Sequence, residues 1–159
     1  MFIKKFTNLS QNIAHFGFSV LILSILFNNI FSTEVITNLK IGETFKSDKF
    51  SINFANIDQE NGKNFKSIIG KFKVEHEDGS IDALRPELRI YNQPNIVTSE
   101  EDIKTNFFTD KFITMNYVQN QEYFNIRYQV KPLMIWIWIS VLLLSFGGLM
   151  SIFKKRYEI

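Results

Sequence analysis

The chain has 159 residues, a formal net charge of +2, 45% hydrophobic residues and no cysteine, which is room for about one domain. A complete large enzyme is excluded by size, and a disulfide framework, a thiolate metal site and a cysteine nucleophile are excluded by composition. Ile, Phe, Asn and Lys are abundant and Ala is scarce, a bias of AT-rich coding rather than of function. The balanced total hides two apolar ends around a polar middle.

No Asp, Glu, Lys or Arg occurs from Phe6 to Thr33. As an α-helix, residues 13–31 would rise about 28 Å, which matches the hydrocarbon core of a bilayer. Segment 1–33 is therefore read as an N-terminal stretch carrying a first transmembrane helix. A cleavable signal peptide is the competing reading, because Lys4 and Lys5 precede the run. Against it, the run is long, and Asn28-Asn29-Ile30-Phe31-Ser32 offers no small-x-small cleavage site. His15 is the one ionisable side chain between Lys5 and Glu34. Gln11, Asn12 and Ser19 lie at helical spacing from it, so a polar stripe crosses an otherwise apolar cylinder. Ionisable groups inside spans face a partner, a cavity or a cofactor as a rule, which makes His15 a candidate ligand or proton relay. The alternative places its ring at headgroup level, where an amphipathic side chain costs little. Both stay open on the residues alone.

Segment 34–131 is nearly balanced in charge, with a small acidic excess, and has no basic footprint of the kind nucleic acid requires. Its patterning alternates with period two. Phe50, Ile52 and Phe54 alternate with polar neighbours, as do Phe72 and Val74. Glu77-Asp78-Gly79-Ser80 then forms an Asp-Gly turn leading to Ile81 and Leu84, a hairpin signal. Leu88 with Ile90, and Phe124, Ile126, Tyr128 and Val130, extend the pattern to about six to eight short strands in a sandwich or small barrel. Thr98-Ser99-Glu100-Glu101-Asp102 resembles a capping box and predicts a short helix near 99–106, its acids complementing the helix N-terminus rather than forming an acid–base pair. His76 reads as a solvated strand-end histidine, since no second His or ordered carboxylate spacing accompanies it. No phosphate loop, nucleophile elbow or His-Glu-x-x-His helix is present, and no catalytic residue is assigned. The middle reads as a binding or structural module.

Segment 132–153 carries no charge, opens on Pro132 and places Trp136 and Trp138 near one interface, so it too is expected to span. Gly147, Gly148 and Ser151 suggest a close helix approach through Gly147-x-x-x-Ser151. Lys4 and Lys5 before the first span, and Lys154, Lys155 and Arg156 in the basic tail 154–159, put both termini on the cytoplasmic side or its equivalent. The β-rich middle is then translocated. Two spans bury little of their own surface, so further helices from another polypeptide or a missing N-terminal portion are expected.

Ala14-His15-Phe16-Gly17 at the head of the first span, Leu84-Arg85-Pro86-Glu87-Leu88-Arg89-Ile90-Tyr91 in the middle, and Val130-Lys131-Pro132-Leu133 followed by Trp136-Ile137-Trp138 and Gly147-Gly148-Leu149 resemble the C-terminal region of the CcmF family. These are the haem-lyase membrane proteins of system I cytochrome c-type biogenesis. The blocks agree in order and spacing from about residue 11 onward. The chain departs from the family's pattern at Leu88, Ile90 and Ile135, where the family usually has Lys, Phe and Arg.

The resemblance implies a polytopic protein that accepts haem from a haem chaperone and, with a thiol-handling partner, directs it to the Cys-x-x-Cys-His motif of apocytochrome c. It also implies a b-type haem held by two transmembrane histidines, with His15 at the position of the second, as axial ligand to the haem iron. The tryptophan-rich haem-handling motif, the external histidines and the other membrane histidine of the family are absent here, so this chain alone is not a complete enzyme. A split gene or a truncated reading frame is expected, in a bacterial inner membrane or, if organelle-encoded, a mitochondrial one, with the remaining N-terminal part of the lyase as partner. The rival expectation is a non-catalytic, membrane-anchored interaction module without haem.

Overall fold

The structure, a computed structural model, describes residues 2–118 and 121–155, with side chains over 9–118 and 121–152. The side chains of Lys4, Lys5, Lys154, Lys155 and Arg156, and the rest of the 154–159 tail, lie outside that description. The chain forms two compact units, a helical one that also contains residues 106–110, and a β unit over 33–105 and 111–130.

In the helical unit, α1 (Phe2–Phe31) and α2 (Met134–Lys155) are both long and apolar enough to cross a membrane. The α1 helix closes with Ser32 N–H donating to Asn28 O at 3.0 Å, before the β-branched run beginning at Thr33. Sequence patterning expects the second helix to open at Pro132, but Pro132 ends a strand. Leu133 then takes a left-handed turn (φ 58°), and the first helical bonds go from Trp136 and Ile137 N–H to Leu133 O.

The two helices run antiparallel along a seam of small side chains. A Cβ on Gly17 would fall 3.0 Å from Leu143 Cβ and 3.1 Å from Ser140 O, and one on Gly147 2.9 Å from Ser10 O and Ala14 N. Ser10, Ser24 and Ser140 are buried in the same unit, with Ser140 Oγ donating to Trp136 O at 2.6 Å. The expected Gly147-x-x-x-Ser151 contact is corrected here. Ser151 is exposed, Gly148 faces open space, and the close approach on α2 uses Ser140 and Gly147, seven residues apart. A seven-residue repeat is the one that keeps a single stripe against a partner helix.

The β unit contains ten described strands: β1 (Thr33–Leu39), β2 (Thr44–Lys46), β3 (Phe50–Asn61), β4 (Phe65–His76), β5 (Ile81–Leu84), β6 (Glu87–Asn92), β7 (Asn95–Glu100), β8 (Asp102–Thr105), β9 (Thr109–Tyr117) and β10 (Phe124–Pro132). They form a four-stranded sheet, β1-β10-β9-β8, and a six-stranded sheet, β2-β3-β4-β6-β7 with β5 also on β4. The expected sandwich-like β architecture is present. The hairpin at Asp78-Gly79 forms as read, with Phe72 opposite Leu84, Val74 opposite Asp82, and Gly79 at φ 77°.

The short helix expected near 99–106 does not form. Residues 95–100 and 102–105 are strands, with Leu88 paired to Ser99 and Glu87 to Glu100. Ser99 Oγ donates to Met115 O at 2.7 Å instead of capping a helix. A capping box is worth about 1 kcal/mol and yields to a ladder of backbone hydrogen bonds.

Alternate residues of both sheets meet in one core. Ile52, Phe54, Val74, Ile113, Met115 and Ile126 are fully buried, and the Phe54 and Phe72 rings stack at 4.4 Å. Phe54→Ala is expected to cost about 3–5 kcal/mol in denaturant unfolding, whereas Ile36→Ala, at a site 61% exposed, should stay within about 0.5 kcal/mol. In the helical unit, Gly147→Ala should lower the thermal midpoint of the helical circular dichroism signal in micelles while Gly148→Ala does not.

Candidate functional site

The His15 side chain is exposed on the side of α1 away from α2, as are Gln11, Asn12 and Ser19, while Ser10 and Gly17 on the opposite side are buried. The polar stripe seen in the sequence is therefore a face that the described residues do not cover. Ser19 Oγ donates back to His15 O at 2.9 Å, which satisfies that hydroxyl within the helix. Among the described residues no side-chain hydrogen bond to the His15 imidazole is found. The uncovered α2 surface includes an open apolar groove of about 470 Å³ lined by Ile139, Leu142, Leu143, Ser145, Phe146 and Leu149.

The second histidine sits in a different setting from the one expected. His76 is not solvated: its side chain is 15% exposed, and Nε2 lies 2.9 Å from Asp82 Oδ2. The β4–β5 hairpin register directs Asp82 inward beside Leu84, leaving the carboxylate 7% exposed. Lys111 Nζ donates to Oδ2 and Lys104 Nζ to Oδ1, each at 2.6 Å. Lys111 Nζ also lies 2.9 Å from His76 Nε2. That nitrogen carries either a proton for Asp82 or a lone pair for Lys111, so it serves one partner at a time.

Burial alone pushes the Asp82 carboxyl up, but the hydrogen bonds from Lys104, Lys111 and His76 outweigh it and hold the group well below the usual carboxylate range. Tyr128 is pushed the other way, first by burial and then by the Asp82 charge, so its phenol stays protonated. The hydroxyl is buried with no hydrogen-bond partner among the described residues. Sequence reasoning missed this network because its members come from β4, β5, β8 and β9. The one local signal was an acid, Asp82, at an inward position of the hairpin.

Among the described residues no three His, Cys, Asp or Glu side chains are grouped to hold a metal ion. The acids Glu100-Glu101-Asp102 line no helix N-terminus. Glu100 ends β7, and Asp102 Oδ2 accepts the Arg85 N–H at 2.6 Å.

A β-sandwich inserted between two membrane-spanning helices, one carrying an uncovered histidine, is the class of protein these features define. Residues 30–132 match the family model described as the CcmF C-terminal beta-sandwich, and the chain belongs to that family. It is 29% identical over 148 residues to the cytochrome c-type biogenesis protein CcmF of Haemophilus influenzae, covering 92% of this chain and 22% of that protein. To CcmF of Pseudomonas fluorescens it is 29% identical over 149 residues, 94% of this chain and 23% of the relative. A solved cytochrome c heme lyase CcmF has the same fold, with a TM-score of 0.71 at 19% identity, over 94% of this chain and 25% of that one. The chain spans under a quarter of the length of these curated relatives.

The Asp82 network makes stability depend on pH with a definite sign. In the unfolded chain Asp82 titrates near about 3.9; in the fold it titrates lower. The unfolded state therefore binds more protons between the two values, and stability falls as the solution is acidified through that window. Acid unfolding should steepen below about pH 4, and Asp82→Asn should flatten that limb while costing about 1–3 kcal/mol at neutral pH, measured by urea midpoints across pH.

Proposed function

We propose that this chain is the C-terminal part of a cytochrome c haem lyase assembly of the bacterial inner membrane, supporting covalent attachment of haem to apocytochrome c. In it, His15 supplies one axial imidazole to the iron of a b-type haem completed by helices outside this chain. The observation that carries the proposal is the uncovered His15 face of α1 in a member of the CcmF family. A neutral imidazole is a good iron ligand, and His15 presents one with no described hydrogen-bond partner. The chain's other histidine is held by Asp82 and Lys111 in the β unit, so the second axial donor must come from another polypeptide or a further segment. Bound there, haem would supply one-electron chemistry. The chain's own contribution is to hold the imidazole on a helix fixed by the Gly17–Gly147 seam, with Gln11 and Asn12 on the same polar face.

Partners follow from the same family: the N-terminal part of the lyase on the bare helix faces, a haem chaperone, a thiol-handling protein and apocytochrome c. Both termini are assigned to the cytoplasmic side, with the β unit translocated.

The test is a reduced-minus-oxidised visible spectrum of the complex captured from native membranes through a tag on this chain. A b-type signal is expected in the wild type and is expected to be lost in His15→Ala while the partner helices still co-purify. An unchanged spectrum in His15→Ala would return His15 to an interfacial role. Normal covalent cytochrome c after deletion of the chain, or capture with neither haem nor multi-span partner, would favour a membrane-anchored interaction module instead.

A further inference from the structure

The turn between β8 and β9 belongs to the helical unit, and its composition is unusual for a turn. Asn106 N–H donates to Thr109 O at 2.8 Å and closes a four-residue reversal whose two central residues are Phe107 and Phe108. Reversals are normally built from Gly, Pro, Asn, Asp or Ser, which supply either backbone freedom or local hydrogen bonds. Here the tip instead presents two aromatic rings that are 54% and 63% exposed, packed edge to face at 5.1 Å. Adjacent exposed phenylalanines on a tight turn are costly in water, at about 25 cal/mol per Å² of apolar surface.

The turn is fastened to the start of α2 by three contacts. Trp136 Nε1 donates to Phe107 O at 3.1 Å, Leu133 N–H donates to Phe108 O at 2.7 Å, and the Phe107 and Trp136 rings meet edge to face at 5.0 Å. The first turn of α2 opens the apolar stretch Met134–Ile152 that is long enough to cross a membrane. The end of α1 is tied to that level, because Asn28 Nδ2 donates to Pro132 O at 2.8 Å. Around this end of the helix pair stand Ile30, Phe31 and Trp138, which are 69%, 59% and 67% exposed. Trp at the end of a span sits at headgroup level, and exposed Phe side chains of interfacial elements bury into the headgroup–acyl boundary, so Phe107 and Phe108 continue that belt from outside the helices.

We propose that the Asn106–Asp110 turn is a membrane-interface wedge, its Phe107 and Phe108 side chains inserted into the headgroup–acyl boundary of the lipid bilayer beside the start of α2. The partner is lipid, because the exposed rings are continuous with a spanning helix at the level where it emerges. The proposal rests on α1 and α2 being spans.

The absence of cysteine from the chain makes the test direct. Single Phe107→Cys, Phe108→Cys, Leu142→Cys and Asn95→Cys variants of the full chain, spin-labelled in phosphatidylethanolamine and phosphatidylglycerol vesicles, are compared for relaxation by oxygen and by a water-soluble nickel chelate. Labels at 107 and 108 are expected to be relaxed more by oxygen than by nickel, at a depth shallower than Leu142 in mid-span. The Asn95 label should show the reverse, as a water-exposed reference. Nickel access at 107 and 108 equal to that at Asn95 would overturn the wedge. Protection from both reagents would overturn it too, by placing protein rather than lipid over the turn. Nickel access at Leu142 as well would overturn the spanning assignment itself. Phe108→Trp in a Trp138→Phe background, which keeps the Trp136 bond to Phe107 O, supplies an unlabelled check, read as the difference from the Trp138→Phe parent. Its emission should shift to the blue and be lost to brominated acyl chains rather than to acrylamide, and the opposite pattern would again sink the proposal.

Discussion

The stack of Phe54 on Phe72, with ring centroids 4.4 Å apart, is the contact around which the β unit is organised. Both residues lie in the six-stranded sheet and are directly opposite in the β3–β4 ladder, so their rings form a fixed plate that the four-stranded sheet must cover. Phe124 approaches it edge-on at 5.5 Å, and Tyr128 does the same to Phe50 at 5.0 Å. Room for Met115 comes from a missing side chain. A Cβ at Gly70 would lie 2.9 Å from Met115 Sδ and 2.6 Å from the Phe72 ring. Directly after the plate the register of β3 slips between Phe54 and Asn56, and a bulge of this kind bends and twists the strand. One aromatic pair, one glycine and one bulge thus decide where the core ends and where the long arms of β3 and β4 turn outward.

The Asp82 network is a consequence of the neighbouring β4–β5 hairpin. Once Val74 and Leu84 are committed to the core, period two obliges Asp82 to point inward with them. A lone buried carboxylate would be prohibitive. Lys104 and Lys111 on β8 and β9 make it tolerable, and they belong to the other sheet. The ions therefore bridge the two layers at their margin, much as the aromatics do at the centre. Their worth differs in kind, because a bridge of this sort mainly punishes the loss of one partner.

How much of this was legible follows from the range of each signal. The spans could be read from uninterrupted apolar length, and the hairpin from Asp78-Gly79 between alternating strands, because both signals are local. So was the polar stripe of Gln11, Asn12, His15 and Ser19, which needs only helical geometry. The strands at 95–105 are not legible locally, because Thr98 to Asp102 satisfies a helix cap in isolation, while the pairing of Ser99 with Leu88 and its bond to Met115 O are long-range. His76 was misplaced for the same reason, its partners lying on other strands. On α2, Gly147-x-x-x-Ser151 was a legitimate local pattern. Which of two small-residue stripes meets α1 depends on the partner helix, where Ser10, Gly17 and Ser24 recur every seven residues and select Ser140 with Gly147.

That selection has a consequence for the face left over. A seven-residue stripe of Gly and Ser lets two backbones approach closely and covers one side of each helix. On α1 the covered side is the one without His15. Polar groups of Gln, Asn and His in hydrocarbon are held there only when something satisfies them. Among the described residues nothing on α2 does so, since Ser140 and Gly147 face the seam and the surface on its other side includes the groove along Leu142, Phe146 and Leu149. The two bare faces thus differ in character, one carrying Gln11, Asn12, His15 and Ser19 and the other mostly apolar. An apolar face is content with lipid or with another helix. A polar face is costly against acyl chains, which is the physical basis for proposing that the His15 imidazole meets a cofactor-bearing neighbour rather than lipid.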